Sequence, residues 1–130
     1  MKRILVDTNI YVAFKRNEQP AVELLRQAEH IGLCTVVLGE LLAGFRCGSR
    51  ETENRRELDQ FLDSPRVEIF TIDEETAEFY AGVFRVLKEK GRPIPSNDLW
   101  IAASTLRHGF ALATLDDHFR HIDGLLLACI

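Results

Sequence analysis

Four acidic residues from separate segments could do chemistry as a set: Asp7, Glu40, Asp98 and Asp116. Asp7 ends the aliphatic run Arg3-Ile-Leu-Val-Asp7. That run reads as a buried strand, and an unpaired carboxylate at such a junction is expensive to bury. Glu40 sits among apolar neighbours in Leu38-Gly-Glu-Leu-Leu42, early in a predicted helix whose Leu38, Leu41, Leu42 and Phe45 share a face. Asp98 falls in the first turn of a helix introduced by Ser96-Asn97, and Asp116 in a turn after Phe110-Ala-Leu-Ala113. Taken singly, Asp98 and Asp116 are ordinary helix-dipole and turn chemistry. Taken together, four carboxylates from separate segments repel one another unless a divalent cation joins them. Oxygen donors select a hard ion, Mg²⁺ or alternatively Mn²⁺, over Zn²⁺. Such an ion keeps several waters and can stabilise both the attacking and the leaving oxygen of a phosphodiester.

The elements that must position these acids alternate along the chain. Strands are expected at 3–7, 33–36, 67–70, 110–113 and 125–128. Helices are expected over 10–14, from Pro20 to His30 with Gly32 as its stop, and over 37–45, 54–62, 75–90 and 98–107. A short helix or loop should hold Phe119 and Ile122. This alternation predicts one α/β domain over residues 1–130, with a mostly parallel sheet covered on both faces. In such a sheet ligands gather beyond the carboxyl ends of the strands, where Asp7 and Asp116 fall.

The bulk properties narrow the function classes. With 130 residues, 46% of them hydrophobic and 28% charged, the chain can bury a core without disulfide or metal staples. No apolar run is long enough to span a bilayer, and Asp7 interrupts the apolar start that a secretory signal needs. Cys34, Cys47 and Cys129 are odd in number and widely spaced, which argues against a disulfide framework or thiolate metal site and for a reducing cytoplasm. The net charge of −4 counts against nucleic-acid binding, less so if several acids hold a cation.

Other residues carry weaker signals. His118 and His121 are spaced i, i+3 but have no third nitrogen or sulfur donor nearby, so a solvated turn is the expectation. Arg46, Arg50, Arg55 and Arg56 flank the loop after the Glu40 helix. They read as a solvated face, or more sharply, for Arg46 and Arg50, as a phosphate-contacting patch. Trp100 is expected to pack rather than stack on a base. Phosphoryl transfer with Asp7 as covalent nucleophile calls for a second acid two positions on, where Asn9 stands. A non-catalytic binding module is the remaining alternative.

Four segments, in order, carry a family resemblance: Ile4-Leu-Val-Asp-Thr-Asn-Ile10, Val36-Val-Leu-Gly-Glu-Leu-Leu-Ala-Gly44, Pro93-Ile-Pro-Ser-Asn-Asp-Leu-Trp-Ile-Ala-Ala103, and His108-Gly-Phe-Ala-Leu-Ala-Thr-Leu-Asp116 continuing to Phe119. Over essentially its whole length the chain resembles the PIN-domain family, specifically the small VapC-type toxins of bacterial and archaeal toxin–antitoxin pairs. The resemblance implies a three-layer α/β/α sandwich and a Mg²⁺-dependent endoribonuclease that hydrolyses RNA with a metal-activated water. It places the metal-binding, catalytic acids at Asp7, Glu40, Asp98 and Asp116. Thr8, Asn9, Asn97 and Thr114 fall at supporting polar positions, and Asp117 competes with Asp116 for the fourth acidic place. A homodimer and a small DNA-binding antitoxin, whose tail covers the acidic groove, are also implied.

Overall fold

The computed structural model describes residues 2–128. In chain order the elements are β1 (Arg3–Val6), α1 (Thr8–Lys15), α2 (Gln19–Gln27), β2 (His30–Cys34), α3 (Thr35–Cys47), α4 (Glu51–Leu62), β3 (Val67–Phe70), α5 (Glu74–Glu89), α6 (Ser96–His108) and β4 (Ala111–Ala113), then a 3₁₀ turn over Asp117–His121. The four strands form one sheet in the order β3-β2-β1-β4, and every pairing is parallel.

Right-handed crossovers send α1 to α4 over one face as the chain steps from β1 to β3. They then bring α5 and α6 back over the other face to reach β4, giving three layers. Both faces of β1 are therefore covered, and Ile4, Leu5 and Val6 are wholly buried. Helix α6 is buried on nearly every side, with Leu99, Ile101, Ala102, Ala103, Ser104 and Thr105 all inside. Its small side chains let it lie close against the sheet. Gly109, at φ 69°, ends it in the left-handed region that glycine enters without strain.

Several boundaries differ from the sequence expectations. β2 begins at His30, and Thr35 and Val36 open α3 instead of closing a strand. Gly32 does not stop a helix. It lies inside β2, where a Cβ would stand 2.4 Å from the Phe70 ring of β3, so its role is close approach between neighbouring strands. α4 starts at Glu51, three residues before the expected Asn54. The expected last strand reduces to one bridge, Leu112 to Leu127, with the Leu112 N–H donating to Leu126 O and the Ala128 N–H donating to Leu112 O, each at 2.8 Å. Cys34 is buried and Cys47 exposed, both as free thiols, and Cys129 lies outside the described residues. Among the described residues no helix is long and apolar enough to cross a membrane.

Candidate metal centre

The chain runs from β1 to β2 in one direction while β4 lies on the other side of β1, so the sheet's switch point is at the carboxyl ends of β1 and β4. Val6 pairs with Ala113, and the Asp7 N–H donates to Ala113 O at 3.0 Å. This register sets Asp7 and Thr114 side by side at the mouth of the crevice.

Asp7 is the N-cap of α1. Its Oδ1 accepts the Thr8 N–H at 2.8 Å, and its Oδ2 accepts the Thr114 hydroxyl at 2.7 Å. The residue is only 4% exposed. Burial pushes its carboxyl up to about 6; the charges of Asp98 and Asp116 act in the same direction, against the hydrogen bonds from Thr114 and Thr8.

Asn9, in the first turn of α1, ties the centre together. Its amide nitrogen lies 3.4 Å from Asp116 Oδ2 and 3.5 Å from Asp7 Oδ2, while its oxygen accepts the Leu115 N–H at 3.1 Å. Thr114 Oγ1 in turn accepts the Asp116 N–H at 3.1 Å. On the other flank Glu40 projects from α3. The Thr8 hydroxyl donates to its Oε1 at 2.5 Å, and the Asn97 amide donates to its Oε2 at 3.1 Å. Thr8, Asn9, Asn97 and Thr114 thus each hydrogen-bond to one of the four acids, whereas Asp117, the fifth supporting residue expected, does not line the cleft.

Asp98, in the first turn of α6, is half-buried. Burial raises its pKa, the charges of Asp116 and Glu40 add to the effect, and His118 opposes it. The His118 ring explains that opposition: its Nε2 lies 2.7 Å from Asp98 Oδ2 and 4.0 Å from Asp116 Oδ2. Asp98, Asp116 and His118 each offer one ligand atom within 4.8 Å of the other two.

The resulting cleft, about 380 Å³, is lined by Asp7, Thr8, Asn9, Glu40, Asp98 and Asp116 together with Arg16 and Glu18. Carboxylate, amide and hydroxyl oxygens dominate the donor set, which fits a hard divalent cation, and His118 adds one borderline imidazole nitrogen. Burial first, and neighbouring carboxylates second, hold the Asp7 and Asp98 carboxyls above their ordinary range, and a divalent cation would favour their charged forms.

Not every flagged residue falls here. Asp117 is the exposed first residue of the 3₁₀ turn and does not line the cleft. Arg46 and Arg50 also lie outside it, paired at the surface with Glu51 and Glu53. His121 is elsewhere, its carbonyl accepting from Lys90 Nζ at 2.8 Å. Trp100 packs against Tyr80 with ring centroids 4.1 Å apart. His118 was read from sequence as a solvated turn residue. Its partner Asp98 is 20 residues earlier, a proximity that only the fold creates.

Comparison with known proteins agrees with this geometry. Ribonuclease VapC4 of Mycobacterium tuberculosis is 31% identical over 120 residues, covering 92% of this chain and 90% of the relative. Ribonuclease VapC2 of Rickettsia felis is 31% identical over 129 residues, covering 95% and 94%. Among solved structures, a chain of the Rickettsia felis VapBC2 complex bound to a promoter DNA fragment superposes with a TM-score of 0.84 at 29% identity, covering 96% of both chains. A chain of VapBC-1 from nontypeable Haemophilus influenzae gives 0.83 at 25% identity, again covering 96% of each. With the PIN domain model matching residues 4–125, and with acids gathered at the switch point of an all-parallel sheet, this chain belongs to the PIN domain family.

Proposed function

We propose that this chain is a single-domain, metal-dependent endoribonuclease of the VapC kind, the toxin of a toxin–antitoxin pair. The observation that carries the reading is the convergence of Asp7, Glu40, Asp98 and Asp116 on one cleft, where burial raises the Asp7 carboxyl to about 6. The ribonuclease names of its relatives and its likeness to VapBC chains support the same activity and an antitoxin partner. The ion proposed is Mg²⁺, with Mn²⁺ able to replace it, and the substrate is RNA. A homodimer is part of the same reading.

Bound in the cleft, the cation would supply Lewis-acid stabilisation of charge on the phosphate oxygens. Asp7, Asp98, Asp116 and Glu40 would hold it, and Asp116 takes the fourth place over Asp117 because only Asp116 lines the cleft. Thr114 and Asn9 fix the Asp7 and Asp116 carboxylates, while Thr8 and Asn97 fix Glu40, so the oxygens are aimed before any ligand arrives. His118 holds Asp98 through Nε2.

The test is cleavage of structured RNA by purified protein with Mg²⁺, with Mn²⁺ and with EDTA, beside an Asp98→Asn variant. Cleavage that needs the metal and disappears in the variant is expected. Cleavage surviving both EDTA and the substitution would sink the proposal.

A further inference from the structure

The cleft is acidic, yet its substrate would be a polyanion, so something must meet the phosphates that the metal does not. Of the residues lining the cleft, Arg16 alone has a basic side chain. The surface arginines nearest in type, Arg46 and Arg50, are held by Glu51 and Glu53, and the neighbouring Lys15 pairs with Glu57 at 3.1 Å. Arg16 has no ion pair or side-chain hydrogen bond among the described residues, although Glu18 lines the same cleft. Among the described residues it is an unpaired arginine that lines an acidic cleft.

The backbone puts it there by a specific device. Arg16 is the C-cap of α1. The Asn17 N–H donates to Phe14 O and the Glu18 N–H to Ala13 O, each at 3.0 Å, the paired bonds of a Schellman ending. Asn17 adopts φ 60°, the sole positive φ at a non-glycine residue among those described. It ends α1 in a sharp reversal directly after Arg16, and asparagine tolerates that conformation better than most side chains.

Arg16 also lines the adjoining groove, with Tyr11, Lys15, Phe45 and Asn54. Glu57 lines that groove as well, where Lys15 pairs with it.

We propose that Arg16 binds the phosphodiester backbone of RNA where the strand passes from the metal cleft into the adjoining groove. This rests on the ribonuclease reading. The guanidinium's fork of donors suits two phosphate oxygens, and its position beside the acids lets it offset repulsion between the strand and the carboxylates. It contacts substrate without holding the metal.

The test uses the whole protein and a short fluorescein-labelled single-stranded RNA of mixed sequence. Binding is followed by anisotropy in Ca²⁺ across a range of KCl, for wild type, Arg16→Gln, Arg16→Lys and Arg46→Gln. Arg16→Gln should weaken binding roughly 10-fold and flatten the plot of log K against log salt by about 0.7, the value for one lost contact to a single strand. Arg16→Lys should recover most of the slope, and Arg46→Gln should match wild type. Mn²⁺ binding by calorimetry should be unchanged in Arg16→Gln, and in cleavage its KM should rise with kcat nearly constant. Wild-type slope and affinity in Arg16→Gln, with wild type still cleaving RNA, would overturn this proposal alone, as would loss of Mn²⁺ binding together with RNA. Arg16-dependent binding without cleavage in any divalent ion would uphold the contact and overturn the ribonuclease reading.

Discussion

Two aspartates begin helices in this protein and have opposite fates. Asp73 is the N-cap of α5, and its Oδ1 accepts both the backbone N–H of Thr76 at 3.0 Å and the Thr76 hydroxyl at 2.9 Å. Arg107, reaching across from α6, completes it at 2.5 Å. These bonds, the Thr76 N–H first, draw its carboxyl down to about 2. Asp7 performs the same capping task for α1, yet burial and two neighbouring acids raise it to about 6. The difference lies first in burial and then in the partner. The protein provides Asp73 with its own cation and leaves Asp7 facing two further carboxylates. One is a finished structural joint; the other, on the proposed function, is a ligand for a cation from outside.

Exchanging the charge at each position separates them most sharply. Asp7→Asn keeps a good capping residue but removes a ligand charge, and metal-dependent cleavage should fall below detection. Asp73→Asn should cleave like wild type, and equal loss in both variants would break the distinction.

Stability should move the opposite way. Because the Asp7 carboxyl is raised in the folded state, the unfolded chain releases that proton near pH 4 while the folded chain keeps it to about pH 6. Metal-free stability therefore falls as pH rises between those values. Asp7→Asn should remove the penalty, making the metal-free protein more stable above pH 6 by up to about 3 kcal/mol, with no difference below pH 4. Thermal melts across pH in EDTA measure it, and a destabilised variant at pH 8 would contradict the account. Adding Mn²⁺ should raise the wild-type Tm and leave that of Asp7→Asn almost unmoved.

Thr114→Val tests the support rather than the ligand. Losing the 2.7 Å hydrogen bond to Asp7 should weaken Mn²⁺ binding by roughly 10- to 100-fold, measured by calorimetry, with the fold retained. The smallest effect is expected at Asp73. There the depressed pKa contributes stability that is present above pH 4 and lost as the pH falls towards 2, so the Asp73→Asn melting difference should shrink along that path.

Much of this site was legible in the sequence, for reasons that are local. An aliphatic run ending on Asp7 marks a buried strand and its carboxyl end, and Ser96-Asn97-Asp98 before an apolar helix marks a helix start. Glu40 and the preference for Asp116 needed the family motif or the fold, since neither position is distinctive alone. What stayed hidden depends on distant partners. Gly32 looked like a helix stop because the Phe70 ring that excludes a side chain there lies on another strand. Thr35 and Val36 looked like a strand because their β-branching favours one, but packing sets them in the first turn of α3. His118 and Arg16 are single residues in turns, and neither has a sequence neighbour that betrays what it faces.

The register between β1 and β4 has one more consequence. The hydrogen bond that fixes Asp7 comes from Thr114, 107 residues later, and Asn9 reaches Asp116 across the same span. Loop closure over such a distance comes late and depends on the intervening layers being in place. During synthesis the first strand therefore emerges long before the residues that complete it. A growing chain holds no assembled cleft, and whatever this centre does to RNA begins only when the last strand slots beside the first.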